Sequence, residues 1–279
     1  MAIPLREIRE WPAADILYYR IFVSAAVVWL FILVFRKKQL RADAEHLGDL
    51  SPSARKRLVW LTLAASLLIM GNWFAFIYAV NQVSIQSAAF AYMVCPLLTT
   101  LAGFLILKEE LSAIKKISIG IAFVSVAMLA QGSLYEVAWS VGIASFYALY
   151  LVVQRTIRHV DKLNILAVQL SVCSLLIVPF LLVQHHPLPL YPRFWFNILV
   201  IAIIFTIIPL YLSMYALNGV SSSTVGILIY INPIIAFIVA VVYFHERIDI
   251  HQLLAYAALL AAVFLFNWGT LRKVFHKFA

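Results

Sequence analysis

Residues 58–107 and 194–244 contain no charged side chain. A helix of about 20 apolar residues crosses the hydrocarbon of a bilayer, so each run has room for two spans. In both runs a polar break falls mid-way, at Asn81–Ser84 and Asn218–Ser221. The runs also end in copies of one another. Tyr78 to Ser112 reads YAVNQVSIQSAAFAYMVCPLLTTLAGFLILKEELS and Tyr215 to Asp249 reads YALNGVSSSTVGILIYINPIIAFIVAVVYFHERID, aligned without a gap at a constant offset of 137. The identities are Tyr78/Tyr215, Ala79/Ala216, Asn81/Asn218, Val83/Val220, Ser84/Ser221, Pro96/Pro233 and Glu109/Glu246. Internal duplication in a polytopic membrane chain is the sequence signature of a secondary transporter.

Composition agrees. The chain is 65% hydrophobic and 12% charged, with a mean hydropathy of +0.98, which predicts an all-α, multi-span membrane protein. A sequence pI of about 9.6 reads here as loop charge that sets topology, and nucleic acid is excluded as a partner. Nine spans are expected, at 15–35, 58–80, 85–107, 117–135, 137–154, 163–183, 194–217, 222–244 and 250–268. With the 36–57 loop inside, alternation puts sixteen Lys and Arg on the inner side and four on the outer. That bias predicts an outside amino terminus. Trp11, Trp60, Trp139, Trp195 and Trp268 fall at span ends, as interfacial anchors do. Cys95 and Cys173 read as small, buried and unpaired residues. Residues 1–14 are polar and do not form a signal peptide.

The duplication extends further at lower similarity. DILYYRIFVS matches NILAVQLSVC at an offset of 149, with Arg20 opposite Gln169. At that offset the counterpart of the 137–154 span precedes residue 1. The parent architecture expected is therefore two inverted five-helix repeats, residues 1–135 and 136–279, with the first helix lying before this chain. An odd number of helices per repeat inverts one half relative to the other, which gives alternating access a physical basis.

Pro96 and Pro233 sit mid-span at matched positions, each freeing a carbonyl four residues earlier; a gating role is expected, with a packing kink as the alternative. Asn81 and Asn218 are hinge candidates at the helix breaks, although turn and cap chemistry also accounts for them. Glu109 and Glu246 follow span ends, where a helix cap or salt bridge competes with substrate or proton binding. Arg20 is a strong charge inside a span. It either snorkels to the outer interface or lines a cavity that receives an anionic group. Asn72, Trp73, Tyr92, Tyr147, Gln169, Tyr211, Tyr215 and Tyr230 complete the candidate lining of an aromatic, mostly neutral pocket. Tyr150 and Gln154 add further polar surface. No P-loop, HExxH or GxSxG occurs, and His46, His159, His185, His186, His245, His251 and His276 lie in loops or at span ends. No catalytic residue, metal set or cofactor is therefore expected, and the chain reads as a non-enzyme.

WPAADILYYRIFVS, NWFAFIYAVN with the following PLL and LKEEL, and FTIIPLYLSMYALNGVSSSTVGILIYINP with FHERI together resemble the EamA-type drug/metabolite transporters. Within that superfamily the resemblance is to the RarD, or chloramphenicol-sensitivity, type. It implies a ten-helix protein of the cell inner (cytoplasmic) membrane with two EamA repeats, a central cavity, and export or exchange of small molecules. Gln169 departs from the RarD-type branch, in which an acidic residue is common at that position. The expected function is secondary transport of small organic metabolites or drug-like molecules across the cytoplasmic membrane. The alternatives are a non-transporting membrane sensor or interaction protein, and an inactive truncated transporter. The expected partners are a small-molecule substrate and the lipid bilayer, with a homo-oligomer left open.

Overall fold

The computed structural model describes residues 4, 7–8, 10–83, 85–129, 134–183, 189–232, 235 and 250–278. Pro233, Glu246, Ser84 and most of the second half of the expected 222–244 span lie outside the described residues. Among the described residues every regular element is helical. In chain order these are α1 (Ala13–Phe35), α2 (Lys37–Asp49), α3 (Pro52–Tyr78), a π-helical turn (Ala79–Val83), α4 (Ile85–Leu107), α5 (Ala113–Leu129) and α6 (Leu134–Thr156). They are followed by α7 (Lys162–Val183), α8 (Pro192–Ala202), a second π-helical turn (Ile203–Ile207), α9 (Ile208–Ala216), α10 (Ser222–Leu228) and α11 (Ile250–Phe278).

Apart from α2, which forms in an expected loop, and α10, which ends at Leu228 within the expected 222–244 span, these helices overlap the expected ranges, and their departures have local causes. Helix α3 starts before its apolar run because Ser51 accepts the Ala54 N–H at 3.3 Å and Pro52 fills the first helical position, where its missing donor costs nothing. Helix α5 starts early in the same way, with Lys115 N–H donating to Ser112 Oγ at 3.4 Å. The 36–57 loop is not irregular: α2 forms within it, and none of its side chains is buried. Among the described residues five helical segments are long and apolar enough to cross a membrane: Ala13–Phe35, Pro52–Tyr78, Val137–Thr156, Lys162–Leu181 and Pro192–Ala216. Their outer faces carry large apolar side chains, among them Leu67, Leu175 and Phe196. Such an apolar exterior suits lipid rather than water. The protein is an all-helical, multi-pass membrane protein.

Two compact units divide the residues, and each draws on both halves of the chain. One joins Met1–Trp73 with Val153–Gly219, the other Phe74–Val152 with Val220–Ala279. A packing unit and a sequence repeat are thus different divisions of this chain.

In the first unit α1 packs on α7 and α8. Ile21, Ala25, Val28 and Ile32 form one buried stripe of α1, and Leu166, Leu170, Cys173 and Ile177 form one of α7. Both follow helical spacing. Trp29 Nε1 donates to Ser171 Oγ at 2.8 Å, and Cys173 Sγ donates to the Ser66 carbonyl at 3.5 Å. At the start of the chain Trp11 and Tyr19 lie against Phe194, with centroids 5.1 and 5.6 Å apart.

In the second unit α11 packs along α5, and α10 lies on α4. Ala122 and Val126 of α5 and Leu259, Ala262 and Phe266 of α11 are buried in one core with Cys95, Tyr230 and Ile143. Small residues at such contacts let helices approach closely where lipid supplies no hydrophobic drive. Buried hydroxyls close on their own helices: Ser118 and Ser125 donate to carbonyls four residues back at 2.8 Å, as do Thr99 and Thr100. This satisfies the hydroxyls without water. Cys95 and Cys173 are both buried and free, as expected.

Candidate functional site

Arg20 lies half-buried, about two turns into α1. Its guanidinium carbon sits 5.0 Å from the ring centroid of Trp73, which is carried by α3. An indole face holds a guanidinium by its negative quadrupole, worth roughly 0.5–2 kcal/mol depending on desolvation. Two residues that sequence reasoning proposed separately therefore act as one pair, and the guanidinium lies over an indole. In the same unit Gln154 Nε2 donates to Gln169 Oε1 at 2.8 Å, both side chains being buried. Gln169 thus holds an amide partner at the position where a carboxylate would be expected. Tyr211 and Tyr215 stack loosely at 6.1 Å, with Tyr215 exposed and Tyr211 half-buried. Asn72 is half-buried beside Trp73 in sequence, and Asn218 lies in the turn after α9, its N–H donating to the Tyr215 carbonyl at 3.0 Å.

In the second unit Tyr230 is fully buried, and its hydroxyl has no hydrogen-bond partner among the described residues. Tyr147 lies 5.8 Å from Tyr150. Tyr92 is largely exposed and meets Phe76 edge-on at 5.8 Å. Pro96 lies inside α4, which continues through it. Thr100 Oγ1 donates to the Pro96 carbonyl at 2.8 Å. The junction at Asn81 is a π-helical turn, whereas the matched Asn218 lies in an ordinary turn that leads to Ser221, which caps α10 by accepting from Thr224 N–H at 3.2 Å. The matched asparagines therefore carry two different backbone solutions.

Among the described residues of this unit Glu109 is the most heavily bonded carboxylate. Lys108 adopts a left-handed φ of 53° after α4, and Glu109 N–H returns to the Gly103 carbonyl at 3.1 Å. This aims the carboxylate at the start of α10. Oε1 accepts from the Ser222 N–H and Oγ at 2.7 and 2.8 Å, and Oε2 accepts from the Ser223 N–H and Oγ at 3.1 and 2.5 Å. Partial burial raises the carboxyl pKa, but these four bonds outweigh it and hold the group below its ordinary range. Of the two readings open for Glu109, the structure favours the cap, made in trans to a helix 113 residues on. Gly103 makes room for it: a Cβ there would lie 2.6 Å from Ser222 Oγ and 2.7 Å from Glu109 Oε2. One turn further, a Cβ on Gly226 would meet Thr99 Cβ at 2.7 Å.

Sequence reasoning missed a polar clamp in the first unit. Asp161 caps α7, accepting from Leu163 and Asn164 N–H at 3.0 and 3.3 Å. Its own N–H donates to Asp43 Oδ2 at 3.1 Å, Asn164 Nδ2 donates to the same oxygen at 2.6 Å, and Arg36 pairs with Asp161 at 2.9 Å. The signal was present, since Asp161 directly precedes an apolar run as a helix cap should. Among the described residues no group of three or more His, Cys, Asp or Glu side chains converges.

A membrane chain with a half-buried cationic–aromatic pair and a trans-capped helix crossing can now be set beside known proteins. The model of the EamA-like transporter family matches residues 5–131 and 134–268. The chain belongs to this family. It is 28% identical to an uncharacterized transporter, YojE, of Bacillus subtilis (strain 168), over 95% of this chain and 88% of that protein. It is 28% identical to Protein RarD of Streptomyces exfoliatus, over 94% of this chain and 84% of that one. Protein RarD of Escherichia coli (strain K12) is 25% identical over 91% and 84%. A solved crystal structure superposes with a TM-score of 0.74 at 15% identity, covering 98% of this chain and 93% of the other, which is a likeness of fold. The EamA and RarD-type resemblance expected from the motifs is borne out, and this EamA-like protein is a membrane transporter of the drug/metabolite kind.

Proposed function

We propose that the protein is a secondary transporter, and not an enzyme, that moves small organic metabolites or drug-like molecules across the cytoplasmic membrane. Nine spans run from an outside amino terminus, and the repeats 1–135 and 136–279 lie inverted in the bilayer. They open a central pathway alternately to each side. The sixteen-to-four distribution of loop Lys and Arg supports this topology, and the gap-free duplication supports the inversion. Within the first unit Arg20 and Trp73, with Asn72, Gln169, Tyr211 and Tyr215, are the candidate substrate-recognition residues; Tyr92, Tyr147 and Tyr230 are the candidate aromatic surface of the second unit. Pro96 and Pro233, with Asn81 and Asn218, serve as gating positions.

The observation that carries this reading is Arg20 lying over Trp73 within a membrane-length helix. An intramembrane charge is costly and is retained where function uses it. The partly desolvated guanidinium presents fixed positive charge, which suits a substrate bearing an anionic or strongly dipolar group. Radiolabelled amino acids, nucleosides and amphenicols offered to proteoliposomes test the proposal. The expected result is accumulation of at least one class, cut tenfold or more by Arg20→Gln and by Trp73→Ala. Uptake left unchanged by both substitutions would remove this pair from the pathway.

A further inference from the structure

Helix α2 is held at its start, middle and end by the ends of three membrane-length helices of the first unit. Arg36, at the junction with α1, pairs with Asp161 at 2.9 Å. Asp43 accepts from the Asp161 N–H and from Asn164 Nδ2 at 3.1 and 2.6 Å, at the start of α7. Arg55 of α3 donates through Nε and Nη2 to the Leu47 and Gly48 carbonyls at 3.0 and 2.9 Å. The segments Ala13–Phe35, Pro52–Tyr78 and Lys162–Leu181 are each long and apolar enough to cross a membrane. A helix about 20 Å long that is tied across the ends of three spans runs along the membrane surface. Trp60, exposed three residues after Arg57, is of the type that settles at the headgroup boundary.

Residues 36–57 carry seven of the chain's 21 Lys and Arg. Two of the seven are used within the protein, Arg36 on Asp161 and Arg55 on the α2 carbonyls. The other five, Lys37, Lys38, Arg41, Lys56 and Arg57, are exposed, and among the described residues none of them makes a hydrogen bond or ion pair. They lie in the opening turns of α2 and α3, whereas Glu45 and Asp49 lie toward the end of α2. Leu40, Asp43 and Leu47 share the opposite, half-buried face of α2 at helical spacing. We propose that the five unpaired side chains form a binding surface for the phosphodiester headgroups of anionic phospholipids. Ammonium and guanidinium donors match phosphate oxygens, and each Lys or Arg beside a span gains about fivefold in attraction to an anionic surface. A headgroup layer meets both basic stretches at once, because both border spans. Lipid then holds α2 from the side that protein leaves free, which matters for a 13-residue helix that buries none of its side chains. This surface is independent of substrate and of the transport cycle, so its failure and theirs are separate results.

Amide hydrogen exchange of the full chain in lipid nanodiscs tests this. The two compositions are phosphatidylcholine alone and phosphatidylcholine with about 30% phosphatidylglycerol. Amides of Lys37–Asp49 should exchange at least about tenfold more slowly in the second, while those of α7 stay unchanged as an internal reference. Raising salt to about 1 M, where charges are screened beyond about 3 Å, should remove the difference. Lys37→Gln, Lys38→Gln, Arg41→Gln, Lys56→Gln and Arg57→Gln in combination should remove it too. Lys115→Gln with Lys116→Gln, which takes charge from another loop, should keep it. Equal exchange of the unsubstituted chain in the two compositions overturns the proposal before any variant is made. A slowing that survives high salt or the five substitutions also overturns it, as does one lost with Lys115 and Lys116. If inorganic phosphate added to phosphatidylcholine nanodiscs slows the same amides equally, the surface serves a soluble anion and the lipid assignment is refuted.

Discussion

Tyr230 and Glu109 are both polar groups drawn out of water, and the chain treats them differently. Glu109 is bonded four times, while the Tyr230 hydroxyl is buried without a protein partner among the described residues. An unsatisfied buried hydroxyl costs about 1–3 kcal/mol, so Tyr230→Phe should leave stability unchanged or raise it by about 1 kcal/mol. If the hydroxyl serves substrate, the same variant loses affinity about tenfold, read as a rise in the half-saturating concentration for uptake. A parallel fall in stability and affinity would contradict a binding role. Glu109 behaves oppositely. Its folded pKa lies below the ordinary carboxylate value, so its stabilisation is fully present above that ordinary value. It is lost as pH falls through the folded value. Thermal midpoints measured from neutral pH to below about pH 4 should fall more steeply for the unsubstituted chain than for Glu109→Gln. At neutral pH Glu109→Gln should cost about 1 kcal/mol, partial exposure limiting the loss.

Helix α2 shows how an element can be held from outside. It has 13 residues and buries none of them, and an isolated helix of that length is marginal in water. Asp43 ties it to the capped start of α7. Asp43→Ala should therefore speed amide hydrogen exchange across Lys37–Asp49 by about tenfold while leaving α7 protected. Uniform exchange in both versions would show that α2 stands alone. The α4–α10 crossing is tighter: Gly226→Ala should cost about 1–3 kcal/mol, because a Cβ there meets the Thr99 Cβ and Cγ2. Adding Thr99→Ala should recover part of that loss in a double-mutant cycle, and strict additivity would contradict the contact. Much of this scale was legible in the sequence. Helix α4 occupies the expected range of 85–107 and ends where charge resumes at Lys108, whereas the Ser51 and Ser112 caps start α3 and α5 inside charged segments. What was not legible depended on partners far along the chain. Glu109 was read as a cap or salt-bridge residue, but its acceptor role needs Ser222 and Ser223, which no local pattern brings to it. The π-helical turn at Ile203–Ile207 precedes Pro209, whose missing N–H denies the Phe205 carbonyl its usual partner. The proline is visible in sequence, whereas the register shift that absorbs it is a choice made in packing.

For the whole molecule, duplication and packing cut the chain along different lines. Each compact unit takes part of both repeats, so neither repeat is a folding body on its own terms, and sequence symmetry alone does not reveal the units. Local symmetry is also broken. Asn81 lies in a π-helical turn while Asn218 lies in an ordinary turn followed by a serine cap, and the 36–57 segment adds a helix with no counterpart. Family membership and loop charge converge on a transporter, while the candidate pairing of Arg20 with Trp73 emerged only from the fold. The claim beneath the rest is that the two repeats lie inverted in the bilayer. Ile114 and His251 occupy equivalent positions in the two repeats, 137 residues apart, and both are exposed. Single cysteines placed at each, reacted with an impermeant maleimide in sealed right-side-out and inside-out vesicles, should label from opposite faces of the membrane, Ile114→Cys from the cytoplasmic face and His251→Cys from the outer one. Labelling of both from the same face would contradict the inversion and the transport cycle built on it.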